Sequence, residues 1–311
     1  MTNASTIPDV SVVVVSWNTR KLLLECLASL ERDQLCSGLS VETIVVDNAS
    51  DDESAAAVAC SFPDTDVVAL GENIGFAAAN NLGIERSSGR SILILNPDTV
   101  VQPGALAALW RTLNAAGHVG MTAPVLLNPD GTVQSAGYRF PGMTQALLDI
   151  FPVHPRIAGS RLNGRFSPGD GFTPFRIDHP LGACMLVRRE VVDRVGDFDT
   201  GYFLYSEEID WCRRITDGGW TILCAPSARV VHLGGQSTGQ VAGRTQQMLH
   251  QSRARYFRSW KSPAFLSALN MLIRFGATMR RIGLPVPTGG RTPDELLEIA
   301  SFYHPARKSN G

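Results

Sequence analysis

Three clusters of polar residues stand directly after apolar, β-branched runs, and their types suit the recognition of a base, a phosphate or a cation. Ser16-Trp17-Asn18-Thr19-Arg20 follows the run at 10–15, Asp47-Asn48-Ala49-Ser50-Asp51-Asp52 follows Ile44-Val45-Val46, and Asn96-Pro97-Asp98-Thr99 follows the run at 91–95. In open α/β sheets ligands bind beyond the carboxyl ends of the strands. A carboxylate placed like Asp47 can accept the imide N–H of a uracil or thymine ring. One placed like Asp98 can hold one site of a divalent cation that bridges two phosphates. The plainer reading stands beside this one: Asp, Asn and Ser also cap helices, and Asn-Pro-Asp is a common turn sequence.

A second kind of chemistry is suggested by Tyr205-Ser206-Glu207-Glu208-Ile209-Asp210-Trp211-Cys212-Arg213-Arg214-Ile215. If Ser206 caps a helix, about 100° per residue places Glu208 between Trp211, Cys212 and Ile215 on the apolar face. Glu207, Asp210, Arg213 and Arg214 then fall on the other side. An inward carboxylate near a helix start is positioned to act as a general base, with the helix dipole holding its pKa down. Acids after a serine also simply favour a helix N-terminus. The segment 72–83 opens another helix, where Gly75 permits close approach of backbone or ligand. It is not a G-x-G-x-x-G fingerprint and no Walker A pattern occurs, so dehydrogenase and P-loop NTPase readings lose their support.

The elements that must position these residues follow from hydrophobic period. Apolar runs at 10–16, 41–47, 67–70 and 91–96 alternate with helical patterns at 21–31, 53–60 and 75–86, a βαβαβαβ array that implies a parallel sheet covered by helices. Residues 128–175 are rich in Gly and Pro without a sustained period and read as an irregular insertion or lid. Regular structure resumes with a strand at 183–187, helices at 189–195 and 207–216, and two short strands at 221–224 and 229–231.

Composition bounds the class. With 44% hydrophobic and 18% charged residues, and a formal charge of −1 over 311 residues, the chain is neither disordered nor collagen-like. The balance offers no global footprint for nucleic acid. The six cysteines form no C-x-x-C pair and read as reduced core thiols. The N-terminus lacks a basic n-region, and no apolar stretch reaches the roughly 18 residues of a membrane span, so a cytoplasmic protein is expected. From about residue 244 the chain becomes basic and aromatic, with Arg253, Arg255, Arg258, Lys261, Arg274, Arg280 and Arg281 among Tyr256, Phe257, Trp260, Phe265 and Phe275. Two readings stay open: an amphipathic helix lying on the anionic inner membrane face, or helices packed on the preceding domain.

The motifs, taken in order over about residues 10–240, resemble glycosyltransferase family 2, the inverting enzymes of GT-A fold, in the bacterial rhamnosyltransferase-like branch. They are Val-Ser-Val-Val-Val-Val-Ser-Trp-Asn, Val-Val-Asp-Asn-Ala-Ser, Glu-Asn-Ile-Gly-Phe-Ala-Ala-Ala-Asn-Asn, Leu-Asn-Pro-Asp-Thr, Leu-Gly-Ala-Cys-Met-Leu-Val-Arg-Arg-Glu, Phe-Leu-Tyr-Ser-Glu-Glu-Ile-Asp-Trp-Cys-Arg-Arg and the late His232. Each is weak alone, and six or more in order are specific. The resemblance implies an α/β fold with a mostly parallel central sheet, a catalytic domain over 1–240 (nucleotide-binding half at 8–125, acceptor half at 126–240) and a helical extension over 241–311.

It implies further that Asp47 holds the nucleotide base and that Ser16, Trp17, Asn18, Asn73, Gly75, Asn96 and Asp98 line the nucleotide site. Asp98 stands at the D-x-D position, where Asn96 replaces the first acid, and His232 matches a further ligand position for Mn2+ or Mg2+. The family's usual Glu-Asp pair is Glu207-Glu208 here, one methylene longer at the second residue, so both are candidates for the base, with Glu208 first. Gly182, Ala183 and Asp210 would border the acceptor. The implied reaction moves a sugar, with rhamnose from dTDP-rhamnose ahead of UDP-linked sugars, to a hydroxyl of a lipid-linked or cell-surface saccharide. Two other readings remain: a nucleotidyltransferase, which would want a glycine-rich basic loop where Ser16-Trp17-Asn18-Thr19 stands, and a catalytically silent sugar-nucleotide-binding protein.

Overall fold

The computed structural model describes residues 7–152, 154–234 and 242–305. The chain opens with β1 (Val10–Ser16), α1 (Arg20–Ser37), β2 (Val41–Asp47), α2 (Ser54–Ser61), β3 (Asp66–Ala69), α3 (Phe76–Arg86) and β4 (Ser91–Leu95). The helices run on or start later than their apolar period suggests. α1 continues to Gly38, whose φ of 71° gives the left-handed stop that glycine adopts without strain.

β5 (Thr99–Val101), α4 (Ala105–Asn114) and β6 (Val119–Leu127) follow. α4 begins after Gly104 with no cap of its own; the buried Asp33 of α1 accepts the backbone N–H groups of Gly104 and Leu106, a remote cap that also suits the helix dipole.

The region expected to be irregular carries β7 (Val133–Ser135), α5 (Met143–Ile150), the short α6 (Pro155–Ala158) and β8 (Phe175–Arg176). α5 is only eight residues long, too short for its period to stand out among Gly and Pro. Then come β9 (Cys184–Arg188), α7 (Arg189–Val195), α8 (Glu207–Asp217) and β10 (Thr221–His232). β10 is one strand where two were expected; its register against β6 slips between Ala225 and Arg229, and that irregularity around Pro226 broke the apolar pattern.

The sheet order is β3-β2-β1-β4-β9-β6-β10-β5. β3, β2, β1 and β4 are mutually parallel, as are β6 and β10, while β9 runs antiparallel between β4 and β6. Alternation along β1 divides the core. Val12 and Val14 pack with Leu23, Leu27 and Leu30 of α1 and Leu106 and Leu109 of α4, whereas Val13 joins Ala77 and Ile84 of α3 and Trp211, Cys212 and Ile215 of α8. Gly83 lets α3 settle on the strand, since a Cβ there would lie 2.3 Å from a Val13 methyl. Cys26, Cys184, Cys212 and Cys224 are buried as expected of core thiols; Cys36 and Cys60 are instead exposed, at the ends of α1 and α2.

α9 (Ala242–Trp260), α10 (Pro263–Arg281) and α11 (Pro293–Phe302) build a third core with α5, containing Tyr256, Phe257, Leu266, Leu269, Ile273, Leu296 and Ile299. The expected boundary at 240/241 falls within 235–241, outside the described residues. α9 is tied to α8 and to the segment before it: Arg255 pairs with Asp199, Ser252 donates to the Leu204 carbonyl, and Trp260 donates to Asp210. Among the described residues no helix is long and apolar enough to cross a membrane.

Candidate active site

Sheet register gathers the polar clusters. β1 and β2 end level, Ser16 opposite Asp47, and the two following loops are stitched together: the Asn18 amide donates to Ser50 Oγ and Asn18 Oδ1 accepts from the Asp51 amide. Asn48 donates to Asn73 Oδ1 at 3.0 Å and accepts the Ile74 N–H, so the loop before α3 is held over the end of β2. Gly75 turns this loop at φ 86°. A Cβ there would lie 2.7 Å from the Phe203 carbonyl, the same oxygen that accepts the Phe76 N–H. Asn96, just past β4, donates its N–H to Ala183 ahead of β9.

β5 and β10 pair antiparallel with Thr99 opposite His232, which delivers the histidine beside Asp98. His232 Nε2 lies 3.4 Å from Asp98 Oδ1, and both side chains are about nine-tenths buried. Nδ1 of the ring meets Gln134 Oε1 at 2.7 Å. The Gln134 amide nitrogen is committed to Asn128 Oδ1 and the His232 carbonyl, so Oε1 is the acceptor and the ring proton belongs on Nδ1. A lone pair on Nε2 therefore faces a carboxylate. Close by, Asn96 Oδ1 is buried and has no hydrogen-bond partner. Two facing acceptors and an orphaned amide oxygen are a donor set for a cation, mixed oxygen and nitrogen, which suits Mn2+ better than Mg2+. Among the described residues no cluster of three or more His, Cys, Asp or Glu could hold a metal ion, so the remaining ligands would have to come from bound phosphate and water.

α8 starts unlike the expectation. Ser206 precedes it but makes no side-chain cap; its φ is 65°, that of Tyr205 is 70°, and Ser206 Oγ is buried without a partner. Left-handed backbone at two consecutive non-glycine residues costs roughly 1–3 kcal/mol each and concentrates at functional sites. The turn presents both acids. Glu207, expected on the outer side, is buried and lines the same cavity as Glu208, because the cavity wraps the helix end rather than one flank of it. Each carboxylate has an Oε2 that is buried and unbonded. Burial and the adjacent Glu208 push Glu207 well above the usual carboxylate range. Burial likewise raises Glu208, against backbone N–H groups at the helix start and Arg253, which act in the opposite sense. The expectation that the helix end would hold this pKa down is thus overturned by desolvation.

These features share one cavity of about 570 Å³. Trp17, Asn73, Gly75, Asn96, Asp98, Gly182, Ala183, Glu207, Glu208 and His232 are all in its walls. Gly182 packs against the Glu208 side chain, where a Cβ would stand 3.4 Å away. Four expected site residues are not in the walls. Ser16 is buried and bonded to Thr19, Asn18 serves the loop junction, and Asp47 uses Oδ1 to accept the Ser50 N–H beside the cavity. Asp210 is a correction to the acceptor side: its carboxylate is buried between Arg214 at 2.9 Å and the Trp260 indole at 2.7 Å, so it fixes α9 to α8. Unforeseen wall residues include Asn48, Phe203, Leu204, Tyr205 and Met248, the last from the C-terminal extension. Gln134 also went unread, since nothing in sequence marks a glutamine 98 positions from the histidine it orients.

Comparison with known proteins finds relatives in sequence and in fold. Residues 8–254 match the family described as "Glycosyltransferase like family 2". A relative from Mycobacterium tuberculosis named N-acetylglucosaminyl-diphospho-decaprenol L-rhamnosyltransferase is 29% identical over 245 residues, 74% of this chain and 77% of its own. The dTDP-rhamnosyl transferase RfbF of Shigella flexneri is 22% identical over 253 residues, 80% of this chain and 77% of its own. In structure, a mannosyltransferase from Pyrobaculum calidifontis in complex with GDP-Man and Mn2+ superimposes with a TM-score of 0.60 at 18% identity, covering 96% of this chain and 86% of that one.

Proposed function

The chain belongs to glycosyltransferase family 2, with the GT-A fold, and from that premise we propose that it is an inverting rhamnosyltransferase using dTDP-rhamnose and a lipid-linked saccharide acceptor. The observation that carries the reading is the placement of the carboxylates of Glu207 and Glu208, each raised and with one buried, unbonded oxygen, in the same cavity as Asn96, Asp98 and His232. The rhamnose donor and the lipid diphosphate acceptor are supported by the names of the two relatives. The base of the nucleotide lies beside the cavity, where Asp47 Oδ2, not engaged by Ser50, accepts the imide N–H of thymine or uracil. Trp17 and Asn73 line the way from there to the diphosphate.

Asp98 and His232 would hold the divalent cation, Mn2+ or Mg2+, with Asn96 Oδ1 toward it. When bound, that cation offsets the charge that builds up on the departing diphosphate. Glu208 accepts the proton of the acceptor hydroxyl as its oxygen bonds to the anomeric carbon from the face opposite the leaving group. The bond from that carbon to the diphosphate oxygen breaks in the same displacement. Burial and the charge on Glu208 hold the adjacent Glu207 protonated to higher pH. Gly182 and Ala183 border the acceptor side. The extension carries an apolar face of α10 toward an anionic membrane surface, where a lipid-linked acceptor resides.

Replacing Glu208 by Gln tests the assignment. Transfer should fall by about two to four orders of magnitude, with dTDP binding, read by calorimetry, retained. Unchanged turnover in this variant, or stabilisation of the enzyme by GDP and not by dTDP or UDP, would overturn the reading.

A further inference from the structure

Beside the main cavity lies a second one of about 240 Å³, and the two share the walls Phe203 and Met248. Its other walls include Arg255, Arg258 and Gln251 and no acidic residue. We propose that this cavity binds the phosphates of a diphosphate-linked acceptor. The inference rests on the transferase reading above and names the part of the acceptor that reading leaves unplaced.

Arg255 is seated before any ligand arrives. Its guanidinium lies directly against Gly201, in space that a Cβ at that position would take from it. It stands 5.1 Å over the Tyr202 ring, and Asp199 takes Nε and one Nη2 edge. Nη1 remains to donate. Arg258 gives Nη1 to the Phe302 carbonyl at 2.8 Å and keeps Nε and Nη2. Two guanidinium groups against one carboxylate leave net positive charge, and their planar forks match phosphate oxygens. Fixing them in advance lowers the ordering cost of binding.

The position identifies which anion is meant. The small cavity shares none of Asn96, Asp98 or His232 with the large one, so it does not serve the donor diphosphate. It opens beside the Gly201 to Ser206 segment that leads directly into Glu207 and Glu208, the acceptor side of the reaction. Phe203 between the two cavities is 46% exposed and offers an apolar plate for a sugar ring. A sugar there has a hydroxyl toward Glu208 and its diphosphate on the arginines. Arg255 and Arg258 both lie beyond the family match, which ends at residue 254.

The test compares two acceptors in lipid-free buffer: N-acetylglucosaminyl diphosphate carrying a short water-soluble alkyl chain, and the same sugar on a neutral alkyl chain. For Arg258→Ala the ratio of kcat/KM between the diphosphate and the neutral acceptor should fall at least tenfold, with donor KM unaffected. Gln251→Glu, which brings negative charge to the same wall at an exposed position, should lower the ratio in the same direction. Calorimetry of the diphosphate compound without donor reads the cavity independently of catalysis, and Arg258→Ala should weaken that binding by the same factor. An unaltered ratio and unaltered binding, or an effect that appears only when anionic vesicles are added, would overturn the proposal. Wild-type protein that binds the diphosphate compound yet transfers to neither acceptor would refute the function and leave the binding site standing.

Discussion

His232 Nε2 stands 3.4 Å from Asp98 Oδ1 while the other ring nitrogen is held by Gln134 at 2.7 Å. The glutamine thereby decides which nitrogen of the ring can face a cation. Outer-shell partners of this kind typically change metal affinity 10- to 100-fold on removal. For Gln134→Leu we expect Mn2+ to bind about tenfold more weakly or worse, measured by Mn2+ titration of the dTDP complex. His232→Ala should lose at least as much. Equal Mn2+ affinity in wild type and both variants would show that the pair does not ligand the metal.

Glu207 and Glu208 titrate as a pair, so their protons leave in two steps that belong to both. A base must be ionised to act, and burial raises both groups. The acid limb of kcat/KM should therefore lie above the ordinary glutamate value of about 4.3. In Glu207→Gln the limb should keep its place, because burial and not Glu207 raises Glu208; a limb that moves with this substitution would make Glu207 the base. Stability follows from the same shifts. A carboxyl whose folded pKa exceeds its unfolded one binds more protons in the native state, so stability falls as pH rises from the unfolded value through the folded one. Glu207→Gln should thus melt at a higher temperature than wild type at pH 7.5, with the difference closing near pH 4. A lower Tm at pH 7.5 would contradict the burial cost assigned to Glu207.

Much of this site was legible because strand ends in a parallel sheet announce themselves: an apolar β-branched run, then Asp, Asn or Ser. That pattern marked Trp17, Asn96 and Asp98, all of which reach the cavity. Helical period failed at Glu207, since it describes the flank of a helix and the cavity surrounds its end. It failed for Asp210 in another way: the helix wheel puts this acid on the side away from the apolar face, but α9 covers that side and Trp260 takes its oxygen. The contacts that join distant parts, Gln134 to His232 and Asp33 to α4, need the register of the folded sheet and leave no local signal.

Gly75 offers a sharper probe of the cavity wall. Its φ of 86° and the 2.7 Å that would separate a Cβ at this position from the Phe203 carbonyl both oppose any larger residue. Gly75→Ala should cost about 1–3 kcal/mol, from left-handed strain and overpacking, read from the urea midpoint. The loop between β3 and α3 also carries Asn73, so affinity for dTDP should drop with it. A variant with wild-type stability and wild-type dTDP affinity would mean that this contact positions nothing.

α10 has two apolar faces, and only one is packed. Leu266, Leu269, Ile273 and Ala277 are buried in the C-terminal core, while Met271 and Phe275 are 67% and 62% exposed on the opposite side, followed by Ile282 at 65%. At about 100° per residue these three fall within one sector of the helix surface. α10 contains no Asp or Glu, and Arg274 and Arg281 flank the exposed face, the latter also paired with Asp294. An apolar sector with cationic flanks fits the interface of an anionic bilayer, each Arg near the surface adding about 1 kcal/mol. The protein should therefore co-sediment with phosphatidylglycerol vesicles better than with phosphatidylcholine vesicles, and less so at high salt. The double variant Met271→Glu, Phe275→Glu should lose at least tenfold in this binding while its transfer to a water-soluble acceptor stays at the wild-type rate, because neither residue touches the cavity. Equal binding of wild type and variant to both vesicle types would assign the face to something other than lipid.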